Sequence, residues 1–250
     1  MRVTRSALAA LLTDRGLRPR KSLGQCFLVD PNFLDALARD TGAGPEDGVV
    51  EIGSGPGNLT DALAARAGHV WAFEVDAALQ GLSRDLLADR KNVTLVHADG
   101  AEFDRHLPAD AGRTLRIISN LPYMDWQRLL LAALSTARPV ASFTFMVQSD
   151  VYERLRASPG SKAYGPVPAL LQATSTVKRL RAAGRSLFLP VPRVDSTVFS
   201  IVRKESIDFV RAEARLRELF SHRRKKSPAA DGRRIEELSP SELLRLALSG

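Results

Sequence analysis

Two stretches of the chain combine residue types and spacings that could do chemistry. In Ser119-Asn120-Leu121-Pro122-Tyr123, Pro122 forces Leu121 out of the helical region, so the Leu121 carbonyl is held extended. Asn120 offers an amide oxygen beside it, and Tyr123 a flat ring. Two acceptors and a stacking surface suit a flipped-out base gripped by the hydrogens of an exocyclic amine. Drawing electron density through both N–H bonds makes the nitrogen lone pair more nucleophilic, so no general base is required. The other stretch is Val49-Val50-Glu51-Ile52-Gly53-Ser54-Gly55-Pro56-Gly57-Asn58-Leu59-Thr60. An apolar run there feeds a glycine-rich turn and then a helix-forming run, Asp61 to Ala67. Gly53 and Gly55 allow a sharp turn with a ligand lying on the backbone, and Gly57 lets the next helix pack close to the strand.

The nature of that ligand depends on the neighbours. The next apolar run, His69 to Phe73, ends in Glu74, about twenty residues on, where an acid takes a ribose hydroxyl pair. Dinucleotide enzymes and S-adenosylmethionine (SAM) methyltransferases share this crossover, and a tight turn with no ligand has the same spacing. Two details favour SAM. Glu51, inside the strand, can reach the amino end of a zwitterionic ligand. Pro56 stiffens the loop, with no cluster of spare backbone N–H groups for a pyrophosphate. Asp99, after a third strand Asn92–His97, reads either as the acceptor for an adenine amine or as a helix cap. Phe188 begins a segment made rigid by Pro190 and Pro192, and reads as a second stacking wall or as core.

Elements that position these residues follow from hydrophobic periodicity. Further strands are expected at Thr114–Ile118, Ala141–Val147, Thr174–Arg181 and Thr197–Arg203. Helices are expected from Pro31 (capped by Asp30) to Arg39, from Asp76 to Asp89, from Trp126 to Thr136, from Asp150, and over Val167–Ala173. Alternation of strands and helices predicts an α/β fold. From Lys204 the composition shifts to a helical, basic unit with Arg223-Arg224-Lys225-Lys226 and Arg233-Arg234, placed for phosphate contacts.

At 250 residues the chain holds one large α/β domain and a small appendage. Its net charge of +8 points to a polyanionic partner, most often nucleic acid. The single cysteine, Cys26, excludes an internal disulfide and a zinc cluster, and fits a reducing compartment. The apolar run Ala7–Leu12 is too short for a secretory or membrane segment.

Taken in order, these residues resemble the KsgA-type rRNA adenine dimethyltransferases, related to the Erm enzymes. The likeness runs through Lys21 to Leu28, Glu51 to Thr60, Glu74, Asn120-Leu121-Pro122-Tyr123, Met146-Val147-Gln148, Pro159 to Gly165, Phe188 to Ser196, Phe220 to Lys226 and Glu236 to Pro240. It implies a Rossmann-like class I SAM-dependent methyltransferase sheet with helices on both faces, over residues 1–204. It also implies a basic arm at 1–24 and a helical rRNA-docking unit at 205–250. By this resemblance Gln25, Cys26 and Leu28 lie over SAM, and Glu51, Gly53, Gly55, Gly57, Asn58 and Leu59 form its turn. Glu74 binds its ribose and Asp99 its adenine, with Val75 and Gly100 also at the cofactor. Asn120, Leu121, Pro122, Tyr123 and Phe188 form the target-base pocket, with Asn120 also touching the cofactor. The expected activity is methylation of adenine amines in small-subunit rRNA near its 3′ end. Alternatives are an Erm-like large-subunit enzyme and an rRNA-binding assembly factor. The expected partner is rRNA or a small-subunit particle, for a cytoplasmic monomer without metal or membrane attachment. Cys26 and Met124-Asp125-Trp126 depart from the family's usual residues.

Overall fold

A computed structural model of the chain describes every residue except 1, 2, 21, 22, 112, 113, 123, 206, 227–230 and 250. Its centre is a seven-stranded sheet in the order β4-β3-β2-β5-β6-β9-β7. These strands are β2 (Asp47–Ile52), β3 (His69–Glu74), β4 (Val93–His97), β5 (Thr114–Asn120), β6 (Val140–Gln148), β7 (Ser175–Ala183) and β9 (Ser196–Arg203). β4, β3, β2, β5 and β6 are parallel, while β9 runs antiparallel to both β6 and β7. The strand order reverses at β2 and β5, and the crevice outside strand ends at such a switch point is where ligands bind in open α/β sheets.

Alternation along β2 explains the layering. Val50 and Ile52 face a core with Phe73, Ile117, Phe145 and Phe199, whereas Val49 faces a second core with Val70, Ile118, Met146 and Val198. Both faces are therefore buried, which is why the parallel strands read as nearly continuous apolar runs. The covering helices include α2 (Pro31–Asp40), α3 (Asn58–Ala64), α4 (Ala77–Leu86) and α5 (Trp126–Ser135), with α6 (Ser149–Leu155) and α7 (Pro166–Thr174) further along. Asp30 caps α2, accepting the Phe33 N–H at 2.8 Å, with Pro31 at the first helical position. α3 starts ahead of the expected run because Gly57, at φ 90°, ends the turn in a left-handed conformation. A Cβ there would lie 2.9 Å from the Leu87 side chain, so Gly57 permits close packing against the end of α4.

Two features are absent from the sequence expectations. Strands β1 (Phe27–Leu28) and β8 (Phe188–Leu189) form a separate antiparallel pair, and Gly100–Arg105 winds into a 3-10 turn. Helix α1 (Arg5–Asp14) braces the pair. Arg5 donates to the Ser186 carbonyl and, at 2.9 Å, to that of Phe188, while Leu8 and Leu12 pack with Phe27, Val29, Leu79 and Leu82. The basic arm is tied down elsewhere as well, by Arg15–Asp85 at 2.6 Å and Arg20–Asp76 at 3.6 Å.

The C-terminal unit contains α8 (Phe209–Phe220) and α9 (Pro240–Leu248). Phe209, Leu216 and Phe220 of α8 and Leu243 and Leu244 of α9 belong to the same buried cluster as Val50 and Phe73. The change at residue 205 is thus one of composition, and the packing across it is continuous.

Candidate active site

Loops at the C-terminal ends of β2, β3, β4 and β5 converge on one cleft of about 350 Å³, roofed by residues 23–28. That volume lies in the range of about 300–1,000 Å³ usual for small-molecule sites. Every described residue expected to hold the cofactor lines it except Gly57.

The floor is the glycine turn. The Phe73 carbonyl accepts from both Gly53 N–H at 2.9 Å and Ser54 N–H at 3.0 Å, fixing the turn to β3. Gly55, at φ 55°, sits under the Phe27 ring, which a Cβ would approach to 3.1 Å. Glu74 locks the turn from the other side. Its Oε2 accepts the Gly55 N–H at 2.8 Å and its Oε1 the Asp76 N–H at 2.9 Å. Each oxygen keeps further acceptor capacity toward the cleft. Burial raises the Glu74 pKa, opposed by these N–H groups, with the charge of Asp76 adding to the rise.

Glu51 is 2 % exposed and takes the Thr60 hydroxyl hydrogen on Oε2 at 2.6 Å. Burial pushes its carboxyl up to about 8; the Thr60 hydroxyl opposes the rise and the Glu74 charge adds to it. Among the described residues Ser54 Oγ and Asn58 Oδ1 are buried and take no hydrogen bond, although Asn58 Nδ2 donates to the Leu28 carbonyl at 2.7 Å. Unmet buried polar atoms cost about 1–3 kcal/mol each. Two of them beside a buried acid, on a glycine turn, fit the amino-acid end of a zwitterionic, cationic ligand. Ser54 was not among the expected residues. Its only signal was a hydroxyl set between two turn glycines.

Glu51 also sets a pH dependence. Its pKa in the folded chain exceeds the ordinary value of 4.5. The stabilisation from its bound proton is therefore fully present below about 4.5 and lost as pH rises through about 8. Glu51→Gln removes this loss. Thermal unfolding of the cofactor-free protein should show the variant with a flatter Tm profile from pH 5 to 8.5 and a higher Tm than wild type at the alkaline end. Parallel profiles would show that Glu51 is ionised throughout.

The opposite lip comes from β5. Ser119 Oγ donates to the Ile52 carbonyl at 2.7 Å and the Leu121 N–H to the Met146 carbonyl at 3.0 Å, holding the strand end between β2 and β6. Asn120 Nδ2 donates to the Cys26 carbonyl at 3.1 Å, which turns Oδ1 the other way. Among the described residues nothing donates to Asn120 Oδ1 or the Leu121 carbonyl. Pro122 lines the cleft beside them. Tyr123 lies outside the described residues.

Phe188 is not on the cleft surface. Its side chain is 1 % exposed and packs with Leu28, Ile118, Met146 and Val198, and its backbone pairs with Leu28. In this structure it supports the roof from behind, in the position of the core reading. Gln25, by contrast, is held on the cleft. It accepts the Arg20 N–H at 2.8 Å and donates to Asp76 Oδ2 at 3.2 Å. Asp99 caps the 3-10 turn, its Oδ1 accepting the Ala101 N–H at 2.9 Å, and the residue also lines the cleft. Arg128, unanticipated from the sequence, pairs with Asp99 Oδ2 at 3.0 Å and holds that carboxyl below its usual range against the effect of burial. Among the described residues no group of three or more His, Cys, Asp or Glu could hold a metal ion, and no helix is long and apolar enough to cross a membrane.

Comparison with known proteins agrees with this geometry. The chain is 38% identical over 231 residues to ribosomal RNA small subunit methyltransferase A of Moorella thermoacetica, covering 86% of this chain and 80% of that protein. It is 38% identical over 200 residues to the protein of the same name from Shouchella clausii, covering 78% and 68%. Among solved structures, a dimethyladenosine transferase from Plasmodium falciparum superposes with a TM-score of 0.74 at 22% identity, over 89% of this chain and 96% of that one. The 23S rRNA methyltransferase ErmE superposes with a TM-score of 0.63 at 23% identity, over 89% and 98%. These two show a shared class I methyltransferase fold. Residues 16–226 match the family described as ribosomal RNA adenine dimethylase, and the chain belongs to that family.

Proposed function

We propose that this protein transfers methyl groups from SAM to the exocyclic amine of adenines in small-subunit rRNA, near its 3′ end, and adds two per base. The observation that carries the reading is the meeting of Asn120 and Leu121, whose Oδ1 and carbonyl take no hydrogen bond among the described residues, with the glycine turn in a single cleft. When bound, SAM supplies the electrophilic methyl on its sulfonium. The chain's own residues bind and align. Glu51, Asn58 and Ser54 receive the amino-acid end, Glu74 the ribose, and Asp99 the adenine amine. Asn120 and Leu121 take the two hydrogens of the target amine and direct its lone pair along the cleft toward the methyl. The roof residues 23–28 exclude water from the reacting atoms.

The substrate is a polyanion, and the exposed cations fit it. Lys178 and Arg179 on the edge strand β7 face solvent, as do Arg224, Lys225 and Lys226. Arg223 serves the fold instead, with its guanidinium on Glu236 at 2.7 Å and on the Ser161 carbonyl at 3.0 Å. Phosphate contacts of the exposed set would add affinity without choosing the sequence. The relatives named for the small subunit, at 34–38% identity, favour that subunit over the large one. The reading places the protein in the cytoplasm, acting as a monomer on the small subunit or its precursor. A strain lacking the gene should lose dimethyladenosine from small-subunit rRNA and regain it with the wild-type gene but not with Asn120→Ala. Retention of the modified base in the deletion strain would refute the assignment.

A further inference from the structure

Met124-Asp125-Trp126, the stretch that departs from the family's usual residues, opens α5 at the mouth of the cleft. Asp125 stands at the N-cap of α5, yet its side chain does not cap the helix. It grips Arg128 instead, with Nε on Oδ2 at 2.8 Å and Nη2 on Oδ2 at 2.6 Å. The same Nη2 crosses the cleft to Asp99, 3.0 Å from Oδ2 and 3.1 Å from Oδ1. One guanidinium thus joins the two lips.

The side chains on the two lips differ in exposure. Asp99 follows β4, the outer strand of the sheet, whose residues are all half-buried or exposed. Its side chain is 39 % exposed, and its tie within its own lip is the Ala101 N–H. α5 is anchored through Leu129, Leu130, Leu131 and Leu134, all buried in the main core. The 3-10 turn after Asp99 is itself packed in that core through Phe103, so it is the exposed carboxylate, and not its lip, that Arg128 moors to the helix. The i, i+3 pair with Asp125 keeps Arg128 aimed across the gap rather than along the surface. The planar guanidinium serves both carboxylates at once, which an ammonium could not do with the same fixed geometry.

We propose that Arg128, anchored by Asp125, is the residue that positions Asp99 for the adenine of the cofactor, and so sets the cofactor's base specificity. This rests on the reading that Asp99 accepts the adenine amine. Orientation matters because a fixed carboxylate rejects a carbonyl in the place of that amine, whereas a mobile one turns away at little cost.

The test is calorimetric binding of S-adenosylhomocysteine and S-inosylhomocysteine, which carries a carbonyl where adenine has its amine, to wild type, Arg128→Met, Arg128→Lys and Asp125→Asn. Wild type should prefer the adenosine compound by about 100-fold. In Arg128→Met the preference should fall to about tenfold or less, mostly through tighter binding of the inosine compound, with Tm within about two degrees of wild type. Asp125→Asn and Arg128→Lys should fall between them. An unchanged preference in Arg128→Met, with a strong preference in wild type, overturns the inference alone. No preference in wild type overturns the assignment of Asp99 to the adenine, and the inference with it. A drop in Tm with the preference kept shows a clasp that serves only the fold.

Discussion

Asn120→Ala should lower methyl transfer by about 10²–10³-fold, the loss typical of removing one preorganised polar partner from a reacting centre. The side chain makes one bond that matters to the resting protein, from Nδ2 to the Cys26 carbonyl at 3.1 Å. Losing that neutral bond costs about 1 kcal/mol, so SAM affinity should weaken by no more than about fivefold. The larger effect comes from Oδ1. With it gone, the target amine is held by the Leu121 carbonyl alone, and its lone pair is neither enriched nor aimed. Asn120→Asp separates shape from charge. It keeps the acceptor but sets a carboxylate against the Cys26 carbonyl, so the roof should loosen. Single-turnover rates and calorimetric SAM binding distinguish these effects. Equal losses in transfer and SAM affinity for Asn120→Ala would place Asn120 with the cofactor instead of the base.

Glu74→Gln should weaken SAM binding by about 10²-fold, although it changes one atom. Both carboxylate oxygens already accept a backbone N–H, from Gly55 and from Asp76. A glutamine has one acceptor oxygen, so one of those N–H groups would face an amide nitrogen. That leaves a buried donor unmet, at about 1–3 kcal/mol. It also relaxes the turn that carries Gly55. The ribose loses at least one hydrogen bond to a charged group, worth about 1.5–3 kcal/mol. Tm should fall by about 2–4 °C for each kcal/mol lost. A SAM dissociation constant within threefold of wild type would remove Glu74 from the cofactor site and leave it as a brace for the turn.

Much of the parallel half of the fold can be read from the chain because its signals are local. Val49 to Ile52 and His69 to Phe73 are apolar runs of strand length, and each feeds a turn or cap with its own chemistry. The site residues at strand ends inherit that legibility, since Gly53, Glu74, Asp99 and Asn120 each close a strand that periodicity marks. Phe188 shows where such reading stops. Its burial depends on the pairing of β8 with β1, two short strands far apart in the chain, which no local pattern announces. Ser54 is legible as a turn residue, but the lack of a partner for its hydroxyl is a property of the packed structure. The Asp125–Arg128 spacing is visible on paper, yet its reach to Asp99 depends on how α5 sits across the cleft from β4. Basic residues mislead for the same reason. Arg5, Arg15 and Arg223 look like contacts for a polyanion and are spent on carbonyls and carboxylates of the chain itself.

The central claim is that this cleft brings a methyl donor and an rRNA adenine together. Its most direct test is transfer of labelled methyl from SAM to unmodified small and large ribosomal subunits, followed by nucleoside analysis. The account predicts labelled dimethyladenosine in the small subunit, none in the large, and about 10²–10³-fold less in the small subunit with Asn120→Ala. Label confined to the large subunit, or no label with binding to the small subunit intact, would contradict it.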